Sequence, residues 1–116
     1  LRVQSLNCKK KYDCLISLSN TVDPVEYDVL LIQEPPPNLN KFWSLSSPHW
    51  TRLTPTFNTT SPDTLIYISK TIPSSAYHQN KIKSSYITSI TLTLATETVH
   101  IFSLCNPPDT DDVPLH

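Results

Sequence analysis

The chain has 116 residues and a formal net charge of −1, so it has room for one compact domain and not for two. Hydrophobic residues make up 38% of it and charged residues only 16%, which excludes a disordered polyelectrolyte, a coiled coil and a membrane-spanning chain. The near-neutral charge also excludes the broad positive field that drives non-specific binding to nucleic acids. Any contact with DNA must therefore depend on a local cluster of charge or on further sequence.

The sequence contains no glycine and no methionine, and it contains eleven prolines. Tight turns must therefore be made by Pro, Asn, Asp, Ser or Thr. Because position 1 is not a methionine, we expect the chain to begin inside a longer reading frame or to follow processing. The cysteines Cys8, Cys14 and Cys105 contain no C-x-x-C pair, which disfavours a disulfide framework and a zinc site and favours a reducing, intracellular setting.

The first third of the chain predicts a strand, a helix and a second strand. Residues 1–8 alternate with a period of two, as in a strand with one packed face. Apolar residues recur at helical spacing from Lys9 to Thr21, and Asp23-Pro24 ends this predicted amphipathic helix. The apolar run Tyr27 to Gln33 stops before three prolines and predicts a strand that is buried on both faces.

The rest of the chain predicts one short helix and four strands. The helix covers Asn38 to Leu45, and the strands are Trp50 to Thr54, Leu65 to Ser69, Tyr86 to Ala95 and Thr98 to Cys105. Only Thr96 and Glu97 separate the last two strands, which predicts a hairpin whose turn type stays open, since neither residue favours positive φ. A β-α-β opening followed by hairpin-connected strands predicts an α/β fold of the α+β sandwich type.

Four segments, taken together, resemble one protein family. They are LRVQSLNC at 1–8, YDVLLIQEPPP at 27–37, TLIYISKTIP at 64–73 and HIFSLCNPPDT at 100–110. In order and spacing they are similar to the endonuclease/exonuclease/phosphatase superfamily, which has the DNase I-like fold, and most of all to the endonuclease domain of non-LTR retrotransposons. The resemblance implies that residues 1–116 are the N-terminal part of a single such domain, and hence part of a four-layer α/β/β/α sandwich.

The resemblance also implies which residues carry the chemistry. Asn7, Glu34 and Asn106 match catalytic positions of the family, and Glu34 matches its ligand for Mg²⁺ or Mn²⁺. Mg²⁺ takes hard oxygen ligands and is often held by one or two carboxylates together with the substrate phosphate, so a single Glu at a strand end suits it. A neutral amide can orient a carboxylate or the phosphate without adding charge repulsion.

Each of these positions also has a structural interpretation. Asn7 can be a turn-forming cap at the end of a strand, and Glu34 can be a solvated carboxylate beside the prolines. The run Lys9 to Lys11 is interpreted as the solvated start of a helix in preference to a phosphate contact. Cys105 stands where the family has a tyrosine that binds the substrate phosphate, and its apolar neighbours favour a small buried residue over a nucleophile.

The family's remaining catalytic groups come from two later motifs, G-D-x-N and a terminal S-D-H, and neither occurs in this sequence. The acidic residues Asp109, Asp111 and Asp112 and the final His116 come too early to replace them, and we interpret this tail as a solvated loop. The sequence therefore resembles the first half of such a domain, which we expect to be catalytically inactive alone.

The function that the resemblance implies is Mg²⁺-dependent nicking of DNA by phosphodiester hydrolysis. The implied partners are DNA, a C-terminal half of the domain and a reverse transcriptase in the same polypeptide, in an intracellular, nuclear setting and without a membrane. Two alternatives stay open. One is a phosphatase or lipid phosphodiesterase of the same fold, and the other is a degenerate, non-enzymatic β-rich module that binds a partner through its strand edges.

Overall fold

The computed structural model describes residues 1–11, 13, 26–35, 49–56, 62–84 and 86–105 of the chain. Within these ranges the chain forms seven strands and a short 3₁₀ helix at Ser74–Ala76. The strands are β1 (Val3–Asn7), β2 (Val29–Gln33), β3 (Trp50–Leu53), β4 (Thr64–Ser69), β5 (Tyr77–Asn80), β6 (Ile87–Thr93) and β7 (Thr98–Leu104). No helix in these ranges is both long enough and apolar enough to cross a membrane.

The strands form two sheets. The first sheet has the order β1-β2-β4-β3, and the second has the order β5-β6-β7. β1 runs parallel to β2, with Asn7 opposite Gln33, whereas the other described strand pairs are antiparallel. The parallel opening and the antiparallel remainder that the sequence predicts are therefore confirmed.

An apolar core fills the space between the two sheets. Its buried members come from β2, β4, β6 and β7, and they are Val29, Ile66, Ile68, Ile90, Leu92 and Ile101. A second apolar cluster, which includes Leu30, Ile32, Leu65 and Tyr67, lies on the opposite face of β2 and β4, because successive side chains of a strand point to opposite faces. β4 is consequently buried along its whole length, and β2 over most of its length, as the continuous apolar run predicts.

The described strands begin and end within two residues of the sequence-based prediction, except that β5 is not predicted. β6 ends at Thr93, and the hairpin to β7 has a four-residue turn that closes with the Leu94 N–H bound to the Glu97 carbonyl at 2.8 Å. The longer turn follows from residue type, since Thr96 and Glu97 do not favour the positive φ of a two-residue turn. The sequence predicts no strand at β5, where Tyr77 is the one apolar residue of four, and pairing with β6 supplies that strand.

The predicted helices lie almost entirely outside the described residues. This holds for Asn38 to Leu45 and for most of Lys9 to Thr21, although Asp13 is helical. A helix that begins at Lys9 is wrong, because Lys9 and Lys10 form a turn with φ of 51° and 61°. Of the predicted α/β sandwich, the described residues therefore show two packed sheets and almost no helix.

The buried side chain of Tyr67 makes the stability of the fold depend on pH in the alkaline range. The side chain is 1% exposed, and burial raises its pKa from 10.0 to about 12, against the opposing charge and hydrogen bond of Arg52. The folded state then holds the phenol proton more tightly than the unfolded chain does. The contribution of Tyr67 to the free energy of unfolding is therefore fully present below pH 10.0 and is lost as the pH rises to about 12. A shift of this size corresponds to about 3 kcal/mol, measurable by denaturant unfolding at a series of pH values.

The matched variants for this prediction are Tyr67→Phe and Tyr77→Phe. The first removes the ionisable group and is expected to flatten the alkaline decline in the free energy of unfolding. The second removes a half-buried phenol from β5 and is expected to leave that decline in place. An equal decline in the wild type and in Tyr67→Phe would contradict the assignment.

Candidate functional site

The carboxyl ends of β1 and β2 lie side by side and open into a cleft. Parallel strands bring their carboxyl ends to the same edge of a sheet, which is where α/β folds commonly bind ligands. The cleft has a volume of ≈ 340 Å³ and is lined by Asn7, Gln33, Glu34, Leu104 and Cys105. The structure therefore brings together two of the predicted site residues, Asn7 and Glu34. The third, Asn106, lies outside the described residues.

The backbone of Glu34 is held from two sides. Its N–H donates to the carbonyl of Asp63 at 3.0 Å, and its own carbonyl accepts the N–H of Lys10 at 2.8 Å. Its φ is 49°, a left-handed conformation that costs a residue other than glycine about 1–2 kcal/mol. The described residues with positive φ are Lys9, Lys10 and Glu34, so the backbone strain is concentrated at this edge of the sheet, as is common at functional sites.

Asn7 forms the turn by which the chain leaves β1. Its side-chain Oδ1 accepts a hydrogen bond from the N–H of Lys9 at 2.8 Å. In the same turn, the N–H of Lys11 donates to the carbonyl of Cys8 at 3.0 Å. The turn-forming role that the sequence left open is thus present. An amide whose oxygen is used in this way can still donate from Nδ2, so the catalytic role of Asn7 stays a prediction.

Asp63 is a neighbour of Glu34 that the sequence did not assign to the site. β2 pairs with β4 so that Gln33 lies opposite Thr64, and this register places Asp63 beside Glu34. The Asp63 carboxylate also contacts Lys10, whose Nζ lies 3.4 Å from Oδ1. No sequence spacing links positions 10, 34 and 63, because strand pairing and the turn after β1 bring them together.

A set of hydrogen bonds joins the cleft residue Gln33 to both sheets. The Gln33 side chain accepts from Ser5 Oγ at 3.2 Å and donates to Ser103 Oγ at 3.3 Å. Ser103 Oγ in turn donates to the Ile32 carbonyl at 3.3 Å and accepts from Thr64 Oγ1. Buried side-chain N and O atoms of the described residues all have partners. The network therefore fixes Gln33 where the two sheets meet, and the signal for it in the sequence is an amide at the end of a buried strand.

Cys105 lies on the cleft wall, next to Glu34. Burial raises the pKa of its thiol, a hydrogen bond from the Glu34 backbone lowers it, the carboxylates of Glu34 and Asp63 raise it, and the charge of Lys10 lowers it. Since the net change is upward, the thiol stays protonated at neutral pH and is a poor nucleophile. This agrees with the interpretation of Cys105 as a residue that is not a nucleophile, although its side chain is partly buried and not fully buried.

The cleft supplies oxygen ligands for a hard cation without enclosing one. No group of three or more His, Cys, Asp or Glu side chains in the described ranges could hold a metal ion. Glu34 lines the cleft and Asp63 adjoins it. Because Mg²⁺ is commonly held by one or two carboxylates, with water and a substrate phosphate as its other ligands, these residues fit an ion that the substrate helps to hold.

Comparison with known proteins gives a similarity in structure but none in sequence. No protein-family model matches the sequence, and no curated protein matches it. Among solved structures, the chain is similar to the endonuclease domain of TRAS1, a telomere-specific non-LTR retrotransposon, with a TM-score of 0.67 and 14% identity. The match covers 93% of this chain and 46% of that chain, so this chain spans about half the length of its structural neighbour. At this identity the similarity shows a DNase I-like fold.

Proposed function

We propose that this chain is the N-terminal part of a metal-dependent endonuclease domain of the retrotransposon type, and that its cleft binds a DNA phosphodiester. The observation that carries the proposal is the meeting of Asn7 and Glu34 at the carboxyl ends of two parallel strands. The similarity in fold to an endonuclease domain supports the choice of phosphodiester over other ligands.

Each cleft residue has a chemical task in this proposal. Glu34 is the carboxylate ligand for Mg²⁺ or Mn²⁺, and the bound ion supplies Lewis-acid stabilisation of the charge on the phosphate. Asn7 donates from Nδ2 to a phosphate oxygen, which orients the substrate without adding negative charge. Gln33 keeps this edge of β2 fixed through its bonds to Ser5 and Ser103. Asn106 is proposed as a third polar group of the same site.

The proposal extends to the complete domain and to its partners. The complete domain is a four-layer α/β/β/α sandwich to which this chain contributes its two-sheet part. A C-terminal half supplies the acid and base that cleavage requires, and a reverse transcriptase in the same polypeptide uses the nick. The substrate is nuclear DNA.

We expect the chain alone not to cleave DNA. One carboxylate ligand and one amide do not provide both a metal site and a general base. A plasmid-nicking assay with Mg²⁺ should therefore leave supercoiled DNA intact. Nicking by the wild-type chain that is lost in Glu34→Ala would contradict this expectation.

Binding tests the proposal without requiring cleavage. The ¹⁵N-labelled chain is titrated with a short DNA duplex in Mg²⁺ buffer, and we expect the amide signals of Asn7, Gln33 and Glu34 to shift first. Shifts of these amides with an inositol phosphate and not with DNA would favour the phosphatase or lipid phosphodiesterase alternative. Shifts confined to a different surface would overturn the proposed site.

A further inference from the structure

The charged groups that the described residues place in and beside the candidate cleft carry a net negative charge, since the carboxylates of Glu34 and Asp63 are accompanied by one ammonium group, that of Lys10. Glu34 lines the cleft and Asp63 adjoins it, so a phosphodiester monoanion that enters meets two carboxylates. The carboxylates repel a phosphate anion, and a partly buried cleft screens this repulsion less than bulk water does. A cation of the protein beside the cleft therefore favours binding of the phosphate.

Lys10 is placed to be that cation. Its N–H donates to the Glu34 carbonyl at 2.8 Å, so the backbone fixes the residue to the same position that carries the cleft carboxylate. Its φ is 61°, and its Nζ lies 3.4 Å from Oδ1 of Asp63, which directly precedes β4. Within the described part of the chain, Lys10 is the member of the lysine run Lys9 to Lys11 that forms an ion pair.

We propose that Lys10 is a phosphate-binding residue of the cleft, and that its ammonium group exchanges the Asp63 carboxylate for a non-bridging oxygen of a bound phosphodiester. This inference rests on the proposed function, because it names the residue by which that same cleft receives its substrate. It replaces the interpretation of Lys10 as the solvated start of a helix.

The exchange is energetically reasonable. The side chain of Lys10 is 49% exposed, and an ion pair at such a solvated site contributes little to stability, so Asp63 holds the ammonium only loosely. A charge-assisted hydrogen bond to a phosphate oxygen is stronger than an ordinary one. The backbone hydrogen bond from Lys10 to Glu34 does not involve the lysine side chain. The backbone of Lys10 therefore stays in place during the exchange, and little further conformational entropy is lost.

The test compares two neighbouring lysines. The ¹⁵N-labelled chain is titrated with dimethyl phosphate in Mg²⁺ buffer at physiological ionic strength, and the shifts of the Glu34 and Asn7 amides give the affinity. Lys10→Gln is expected to weaken binding about tenfold or more, since it removes a charge-assisted bond. Lys9→Gln removes the same charge one position away and is expected to change the affinity less than about twofold, while Lys10→Arg retains binding.

Each outcome separates this inference from the function on which it rests. If the wild type shows no shift at Glu34 or Asn7, the proposed phosphodiester cleft fails. If the wild type binds and Lys10→Gln binds equally well, Lys10 is not the phosphate contact, although the cleft remains. Equal weakening by Lys10→Gln and Lys9→Gln would mean that general charge and not a placed ammonium attracts the phosphate. The spectrum of each variant reports directly whether it is folded.

Discussion

Glu34→Gln is expected to lower the affinity of the chain for Mn²⁺ at least tenfold, a loss of about 1.4 kcal/mol or more in binding free energy. The substitution keeps the size and hydrogen-bonding shape of the side chain but removes the negative charge that a divalent ion requires. Mn²⁺ serves as the probe because the free ion is quantified directly by electron paramagnetic resonance. The backbone bonds of Glu34 to Lys10 and Asp63 do not involve its carboxylate, so the fold should survive.

Glu97→Gln is the matched control for this prediction. Glu97 is an exposed carboxylate in the turn between β6 and β7, and it makes the same change in net charge. Glu97 precedes β7, whereas the cleft residue Cys105 follows the other end of that strand. Removal of the Glu97 charge is expected to leave the affinity for Mn²⁺ within about twofold of the wild type, because salt screens an exposed charge so far from the cleft. If both variants lose affinity equally, the ion is held by diffuse charge and Glu34 is not its ligand.

Ile66→Ala is expected to cost about 2–5 kcal/mol of the free energy of unfolding, the largest effect on stability among the predictions made for this chain. Ile66 is fully buried in the centre of β4, where it packs between the two sheets against residues such as Val29 and Ile90. Truncation removes apolar contacts and leaves a cavity that a sheet on each side cannot close. Denaturant unfolding measures the loss.

Phe102→Ala is the control for the effect of burial. Phe102 lies on β7 and its side chain is 50% exposed, so its truncation is expected to change the free energy of unfolding by about 0.5 kcal/mol or less. A cost below about 1 kcal/mol for Ile66→Ala would contradict the packing of one sheet upon the other.

The strands were largely predictable from the sequence, because burial leaves a periodic or continuous apolar pattern. The run that ends at Gln33 predicts β2 to the residue at its carboxyl end, and the prolines after Glu34 mark the stop. β5 was not predictable in this way. Its inward-facing residues are Tyr77 and Gln79, opposite Leu92 and Ile90, so half of its packed face is polar and the pattern is lost.

The candidate site was predictable in part. Asn7 and Glu34 follow two strands directly, and the parallel pairing of those strands makes them neighbours. The positions of Asp63 and Lys10 could not be obtained, since they depend on the register between β2 and β4 and on a turn with positive φ. Glycine usually marks a turn with positive φ in a sequence, and this sequence has no glycine. The two positions with positive φ in this turn are lysines, which do not indicate such a turn.

Paramagnetic broadening by Mn²⁺ shows directly whether a divalent ion binds where β1 and β2 end. With substoichiometric Mn²⁺ added to the ¹⁵N-labelled chain, we expect the amide signals of Asn7, Gln33, Glu34 and Asp63 to broaden first. Broadening that begins elsewhere, for example around Asp28 at the opposite end of β2 or around Glu97, while these four signals stay sharp, would contradict this expectation.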